Sequence, residues 1–197
     1  NSNATAITID SSENVGIGVV PKTGGSTWQH VQFGGTGNLI ARQSDNIVDA
    51  MFSNNYYVNA SNADSYITTG AAARMFMNDN VISFDQAASG STDAAISWSE
   101  AMRIDSSGNV GIGTNDPTVA SGNGLAIYDS VVPRVQLRNS TSGDASGDGA
   151  GIFMSGSDLG IENRESSNII FYNNTEKMRI DASGNLLVGT TDAAVGV

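Results

Sequence analysis

The chain contains one histidine, His30, and no cysteine. Thiolate catalysis, disulfide stapling and Cys-ligated zinc are therefore excluded, and a Ser-His-Asp arrangement depends wholly on His30. His30 stands between Gln29 and Val31 in what reads as an ordinary strand, and no Gly-x-Ser-x-Gly elbow occurs. We read it as structural. Gly34-Gly35-Thr36-Gly37 lacks the strand–helix context of a phosphate-binding loop. Glycoside hydrolysis needs only two carboxylates about 5 to 9.5 Å apart, and Asp79, Asp85, Glu100, Glu162 and Glu165 are positions where such a pair can be sought. None lies in a motif, and exposed solubilising acids are the simpler reading, so no catalytic residue is assigned. Asp144 and Asp148 share a Gly- and Ser-rich loop without the ordered ligand series and closing glutamate of a helix-loop-helix calcium site. No metal or cofactor is assigned. Trp28, Tyr56, Tyr57, Tyr66 and Trp98, set among Asn, Asp and Ser, offer stacking faces and polar edges for a glycan. Strand aromatics, however, more often sit in cores or between subunits.

Charge narrows the partners further. Twenty acids against nine bases give a net charge of -11. A nucleic acid needs a basic track, and the nearest group, Arg134 and Arg138, is too sparse, so no nucleic-acid partner is expected. No stretch approaches the length of apolar chain that spans a bilayer. Asn1 to Asp10 lacks the basic and apolar regions of a signal peptide.

The elements that must carry these residues are short strands. Apolar content of 39% with only 15% charged residues leaves a chain filled by Gly, Asn, Ser and Asp, yet Ile, Val and Phe recur too regularly for disorder. Candidate strands are Trp28–Phe33, Asn54–Asn59, Tyr66–Thr68, Arg74–Met77, Val81–Phe84 and Ala95–Trp98, then Leu125–Tyr128, Arg134–Leu137, Gly151–Met154, Leu159–Glu162 and Asn168–Tyr172. Turn clusters such as Asn78-Asp79-Asn80 separate them. A short helix over Ala71–Met77 is the alternative at one place.

A repeat organises the chain. Ile9-Asp10-Ser11-Ser12-Glu13-Asn14-Val15-Gly16-Ile17-Gly18 returns as Ile104-Asp105-Ser106-Ser107-Gly108-Asn109-Val110-Gly111-Ile112-Gly113. It returns again as Ile180-Asp181-Ala182-Ser183-Gly184-Asn185-Leu186-Leu187-Val188-Gly189. Met-Arg precedes the later two copies. The unequal spacing of the copies does not fit a short-period solenoid. It fits an all-β chain of short-stranded modules that each end in the same Gly-rich hairpin: residues 1–21 close one module, 22–117 form a second and 118–197 a third.

In each hairpin an incoming strand places residues such as Met102 and Ile104 on one face, and the outgoing strand does the same with Val110 and Ile112. Asp105 and Gly108 supply turn chemistry between them, as Asp10 and Asp181 with Gly184 do elsewhere. Glu13 replaces the turn glycine in the first copy, so either that turn differs or Glu13 carries roughly 1 kcal/mol of left-handed strain. Gly111 and Gly113, like Gly16, Gly18 and Gly189, leave the other face bare. Bare backbone implies a close approach, for which another copy of the chain is the natural candidate. Leu187 stands in place of Gly16 and Gly111, so that approach is not expected in the last copy.

Met102–Pro117 and Met178–Thr190 closely resemble the "MRIDSSGNVGIGT" element of tail-fibre and tailspike proteins of tailed bacteriophages. The resemblance implies an elongated homotrimer with its threefold axis along the fibre, a virion location, and other tail or fibre proteins as partners. It implies a structural role in host attachment; with no catalytic residue assigned, no enzymatic activity is expected, and a polysaccharide-degrading spike is the less favoured alternative. Some relatives bind cell-surface polysaccharide, which keeps a non-catalytic carbohydrate-binding module as the alternative. Spikes that degrade polysaccharide usually do so through a large parallel β-helix, for which this chain is too short.

Overall fold

The computed structural model describes residues 6–42 and 49–189, and every regular element among them is a β-strand. The chain forms two compact units that meet in sequence at Tyr128 and Asp129. The first contains β1 (Ile7–Ile9), β2 (Val15–Ile17), β3 (Trp28–Phe33), β4 (Gly37–Arg42), β5 (Asp49–Asn54) and β6 (Tyr56–Val58). It continues with β7 (Asp64–Tyr66), β8 (Gly70–Asn78), β9 (Val81–Gly90), β10 (Ser99–Ile104), β11 (Val110–Ile112) and β12 (Leu125–Ile127).

Ten of these strands make one sheet in the order β1-β2-β3-β4-β5-β8-β9-β10-β11-β12, while β6 and β7 pair separately. Sequential strands lie side by side because short turns join them, as antiparallel hairpins allow. The β8–β9 turn is of this kind: Asp79 and Asn80 both take positive φ, 44° and 66°, as a two-residue hairpin loop requires. Two pairings are parallel, β2 with β3 and β11 with β12. Each follows a hairpin of the repeated sequence. The second of them carries the residues up to Tyr128 into the first unit.

The two faces of this sheet differ in an unusual way. On one face lie His30, Ile40, Met51 and Phe76, paired across four strands. Strand β6 covers this face, and Trp28, Ile40, Met51, Tyr56 and Val58 become the core, with Phe76, Ile96 and Trp98 packed against it. The next row on the same face is polar and buried: Gln32, Asn38, Ser53 and Asp85 are all 5% exposed or less. The opposite face carries an apolar row instead. It runs by register from Val31 through Leu39, Phe52, Met75 and Phe84 to Met102, Ile112 and Ile127. This row is open to solvent, with Leu39 at 47%, Phe52 at 51% and Phe84 at 41% exposure.

The second unit contains β13 (Arg134–Leu137), β14 (Ala150–Ser155) and β15 (Asp158–Asn163) in one antiparallel sheet. A second sheet holds β16 (Ile169–Asn173), β17 (Thr175–Ile180) and β18 (Leu186–Val188). Leu187 is the one buried apolar side chain among its described residues. Val135, Ile152 and Ile161 form a cross-strand row and are each about half exposed.

Several expected elements are corrected. Ala71–Met77 is extended within β8, not helical, because its residues pair on both sides with β5 and β9. Ala95–Trp98 is not a strand; it makes a single bridge, Ser65 to Ala95. Asn54–Asn59 is interrupted at Asn55, whose φ of 52° turns the chain out of the large sheet into β6. Strand β7 ends at Tyr66.

Candidate functional site

The three repeated hairpins are built from the same bonds. The Asp10 carboxylate accepts from the backbone of Ser12 at 2.8 Å and Asn14 at 2.9 Å, and from Asn14 Nδ2 at 3.0 Å. Asp105 does the same with Ser107 and Asn109, and Asp181 with Ser183 and Asn185. The Asn109 and Asn185 side chains, with these backbone donors, hold the Asp105 and Asp181 carboxyls below the ordinary carboxylate range. At Asp10 burial pulls upward, but the bonds from Asn14 and Ser12 outweigh it and the carboxyl is again lowered. The turn residue is left-handed in all three, Glu13 at 66° and Gly108 and Gly184 at 85°. Glu13 therefore carries the strain its position implies, of order 1–2 kcal/mol.

Gly18, Gly113 and Gly189 close the hairpins with φ of 67°, 72° and 70°, donating to Ala6, Ala101 and Lys177. At Gly18 and Gly189 the requirement is the backbone angle alone; at Gly113 a Cβ would also lie 2.2 Å from Tyr128 O. Gly16 and Gly111 have a different requirement. A Cβ on Gly16 would lie 2.2 Å from Val19 O and 2.6 Å from Pro21 Cδ, and one on Gly111 would lie 2.6 Å from Thr114 O. The close approach expected at these glycines is thus made by the chain's own return, not by another copy. Leu187 stands at the equivalent position, opposite Arg179, and is 5% exposed.

The open side of each hairpin is the apolar one. Ile7 pairs with Ile17 and Ile9 with Val15; Met102 with Ile112 and Ile104 with Val110; Met178 with Val188 and Ile180 with Leu186. The neighbouring strand extends these rungs identically in two copies, by Phe84 and Ile82 from β9 and by Phe171 and Ile169 from β16. Ile7, Ile9, Ile17, Leu186 and Val188 are each 46% exposed or more.

The candidate glycan-stacking aromatics are used by the core. Trp28, Tyr56, Tyr57 and Tyr66 are 7% exposed or less, so most of their ring surface is spent on packing within the chain. Tyr66 and Tyr57 hydroxyls donate to Ala88 O at 2.5 Å and to Asp93 at 2.7 Å. Burial, then the bond to Asp93, pushes the Tyr57 phenol up to about 12. Trp98 packs edge-on against Tyr56 at 5.2 Å and its indole donates to Asp64 at 2.6 Å.

Sequence reasoning missed the residue at the centre of this cluster. Arg74 donates to Asp85 through Nε at 2.8 Å and to Asp64 at 3.1 Å. Its guanidinium also lies 4.3 Å from the Trp98 ring centre and 4.7 Å from that of Phe76. It lines a cleft of about 430 Å³ with Trp28, Arg42, Asp49 and Tyr56. Nothing in the run Ala71-Ala72-Ala73-Arg74 announces a buried ion-pair centre.

The acids considered for catalysis are otherwise engaged. Asp85 belongs to Arg74, Glu100 makes a two-pronged pair with Arg103 at 2.7 and 2.8 Å, and Glu162 pairs with Arg134 and Arg164. Glu165 accepts from the Gly149 backbone at 2.7 Å, and Asp79 lies in the hairpin turn. Asp148 accepts from Ala145 N within its own loop. Among the described residues no group of three or more His, Asp or Glu is placed to hold a metal ion. His30 is 1% exposed and neither ring nitrogen has a hydrogen-bond partner; Asn14 Oδ1 accepts from its backbone N–H at 3.1 Å. Comparison with protein-family models, curated proteins and solved structures finds no match.

Proposed function

We propose that this chain is a structural segment of a tail fibre or spike of a tailed bacteriophage, working as a homotrimer that supports or makes attachment to the host surface. It acts with other virion tail proteins and has no catalysis of its own. The sequence resemblance supplies the family; one structural observation carries the assembly. The apolar rungs of all three hairpins face solvent, and in the first unit they continue across the sheet as the exposed row through Leu39, Phe52 and Phe84.

Fixing a residue costs about 1–2 kcal/mol of backbone entropy. A fully buried Leu, Ile or Phe returns about 1.5–3 kcal/mol. The second unit, in which Leu187 is the one buried apolar side chain among the described residues, does not reach balance by itself. Identical rungs from other copies supply the missing core, and a closed symmetric arrangement places the same residues against each other. Expected is a solution mass near three times 20.3 kDa by light scattering after gel filtration, with Phe52→Asp and Phe84→Asp shifting it toward the single chain. A monomer in which both units unfold cooperatively at high temperature overturns the reading.

A further inference from the structure

In two of the three repeats the hairpin is followed by a docked third strand, and the docking is the same each time. Strand β3 lies parallel to β2 with Val31 opposite Val15, and β12 lies parallel to β11 with Leu125 opposite Val110. The residue just before each of these pairs is fixed by the asparagine of the repeat. Asn14 Oδ1 accepts from the His30 N–H at 3.1 Å, and Asn109 Oδ1 accepts from the Gly124 N–H at 3.0 Å. The Val110 N–H completes the grip by donating to Gly124 O at 2.9 Å.

The third repeat has the same acceptor. Asn185 uses its backbone N–H and Nδ2 on Asp181, as Asn14 and Asn109 do on their aspartates, which turns Oδ1 to the same side. Strand β18 ends its sheet among the described residues, and Leu186 and Val188 are 63% and 68% exposed. Asn185 is exposed, whereas Asn14 and Asn109 are 0% and 7% exposed beneath their docked strands.

We infer that the outer edge of β18 is a strand-acceptor site. Its occupant is a parallel segment of the β3 and β12 type, the first strand of a module of the same repeat. The segment needs a backbone N–H for Asn185 Oδ1, so proline is excluded there. An apolar residue, a small or amide residue and a second apolar residue follow, as in Val31-Gln32-Phe33 and Leu125-Ala126-Ile127. Backbone bonds supply affinity and the alternating side chains supply register, as in strand addition generally. The substitution at Leu187 is compatible with this docking. Pro21 and Pro117 follow the repeats that have Gly16 and Gly111, whereas Ala193 stands where Pro117 does in the repeat that has Leu187. Large and small exchange places.

The inference does not depend on the trimer, and its test reads a different quantity. In the second repeat residues 114–124 connect Gly113 to Leu125. Residues 190–197 followed by Gly-Asn-Gly restore that length, so the full chain is extended after Val197 by a copy of residues 122–129. Hydrogen exchange of the Leu186 amide, the counterpart of Val110, is compared in the extended and unextended chains. The extension is expected to slow that amide at least tenfold. An extension with proline for the last glycine before the strand should not slow it. The Gly189 amide, bonded to Lys177 O at 3.0 Å, monitors the hairpin itself. A Leu186 amide that exchanges equally fast in both chains, with Gly189 protected, overturns the proposal whatever mass the protein has.

Discussion

His30 makes the stability of the first unit depend on pH in a window that no other perturbed group shares. Its imidazole is buried against Gly24 and has no hydrogen-bond partner at either nitrogen. Burial lowers its pKa from 6.5 to about 4; the Asp10 charge pulls upward and is too weak to compensate. Between those values the unfolded chain binds a proton and the folded chain does not. Stability is therefore complete above pH 6.5 and falls as the solution is acidified toward pH 4. The whole shift corresponds to about 3 kcal/mol, and about 2 kcal/mol of it is lost between pH 7 and pH 5. The carboxyls of Asp10, Asp105 and Asp181 are lowered instead. Their contributions are intact above the unfolded value near 4 and disappear only below it.

The assay is urea unfolding at pH 7, 6 and 5 and fixed chain concentration, followed by tryptophan fluorescence. Both tryptophans, Trp28 and Trp98, lie in the first unit. A loss of about 2 kcal/mol moves the midpoint by about 1 M urea at a typical dependence of about 2 kcal/mol per molar. His30→Leu removes the titrating group, and its midpoint should be nearly constant over the same range. Its absolute stability at pH 7 is immaterial, since the readout is the slope. If His30→Leu retains the slope of the unsubstituted chain, the reasoning about the buried imidazole is wrong.

Two further substitutions test the inner face. Arg74→Met leaves Asp85, 5% exposed, without its ion-pair partner, and should cost about 3–5 kcal/mol; the double variant Arg74→Met with Asp85→Leu should recover much of that in the same urea assay. Gly111→Ala places a methyl 2.6 Å from a backbone oxygen and should cost about 1–3 kcal/mol. Gly35→Ala meets nothing within 4 Å and should be neutral or stabilising by up to about 1 kcal/mol through the unfolded chain. Equal thermal shifts for the two alanine variants would show that the return over Gly111 is not tight.

The strands and the hairpins were legible because each is a local matter. Trp28–Phe33 is a short run with aromatic and β-branched residues bounded by glycines, Asp105 and Gly108 specify their turn within four, and β3 and the second hairpin stand where these local signals put them. Which face of a strand is covered is not local. Period-two alternation separates Met102, Ile104, Val110 and Ile112 from Arg103 and Gly111, but it does not say which set meets the rest of the chain. Here the usual assignment is reversed: Arg103 and Gly111 share the inner face with Ser83 and Asp85, and the apolar set faces out. The same inversion hides Arg74, Asp64 and Asp85, whose mutual pairing joins β7, β8 and β9.

One signal of the inversion does lie in the sequence. A glycine that bares a strand for a partner copy has no reason to be linked to a residue later in its own chain. Gly16 and Gly111 are each followed within six residues by a proline, and the repeat that replaces the glycine with Leu187 also replaces the proline with Ala193. Such a reciprocal exchange of volume is what packing within one chain requires. Once the glycine side is closed by the chain's own return, the alternation leaves only the Met, Ile and Val side for another copy. Under the proposed assembly the repeat encodes two attachments at once: an apolar face for lateral contact with other copies, and an asparagine at the edge that receives the next strand.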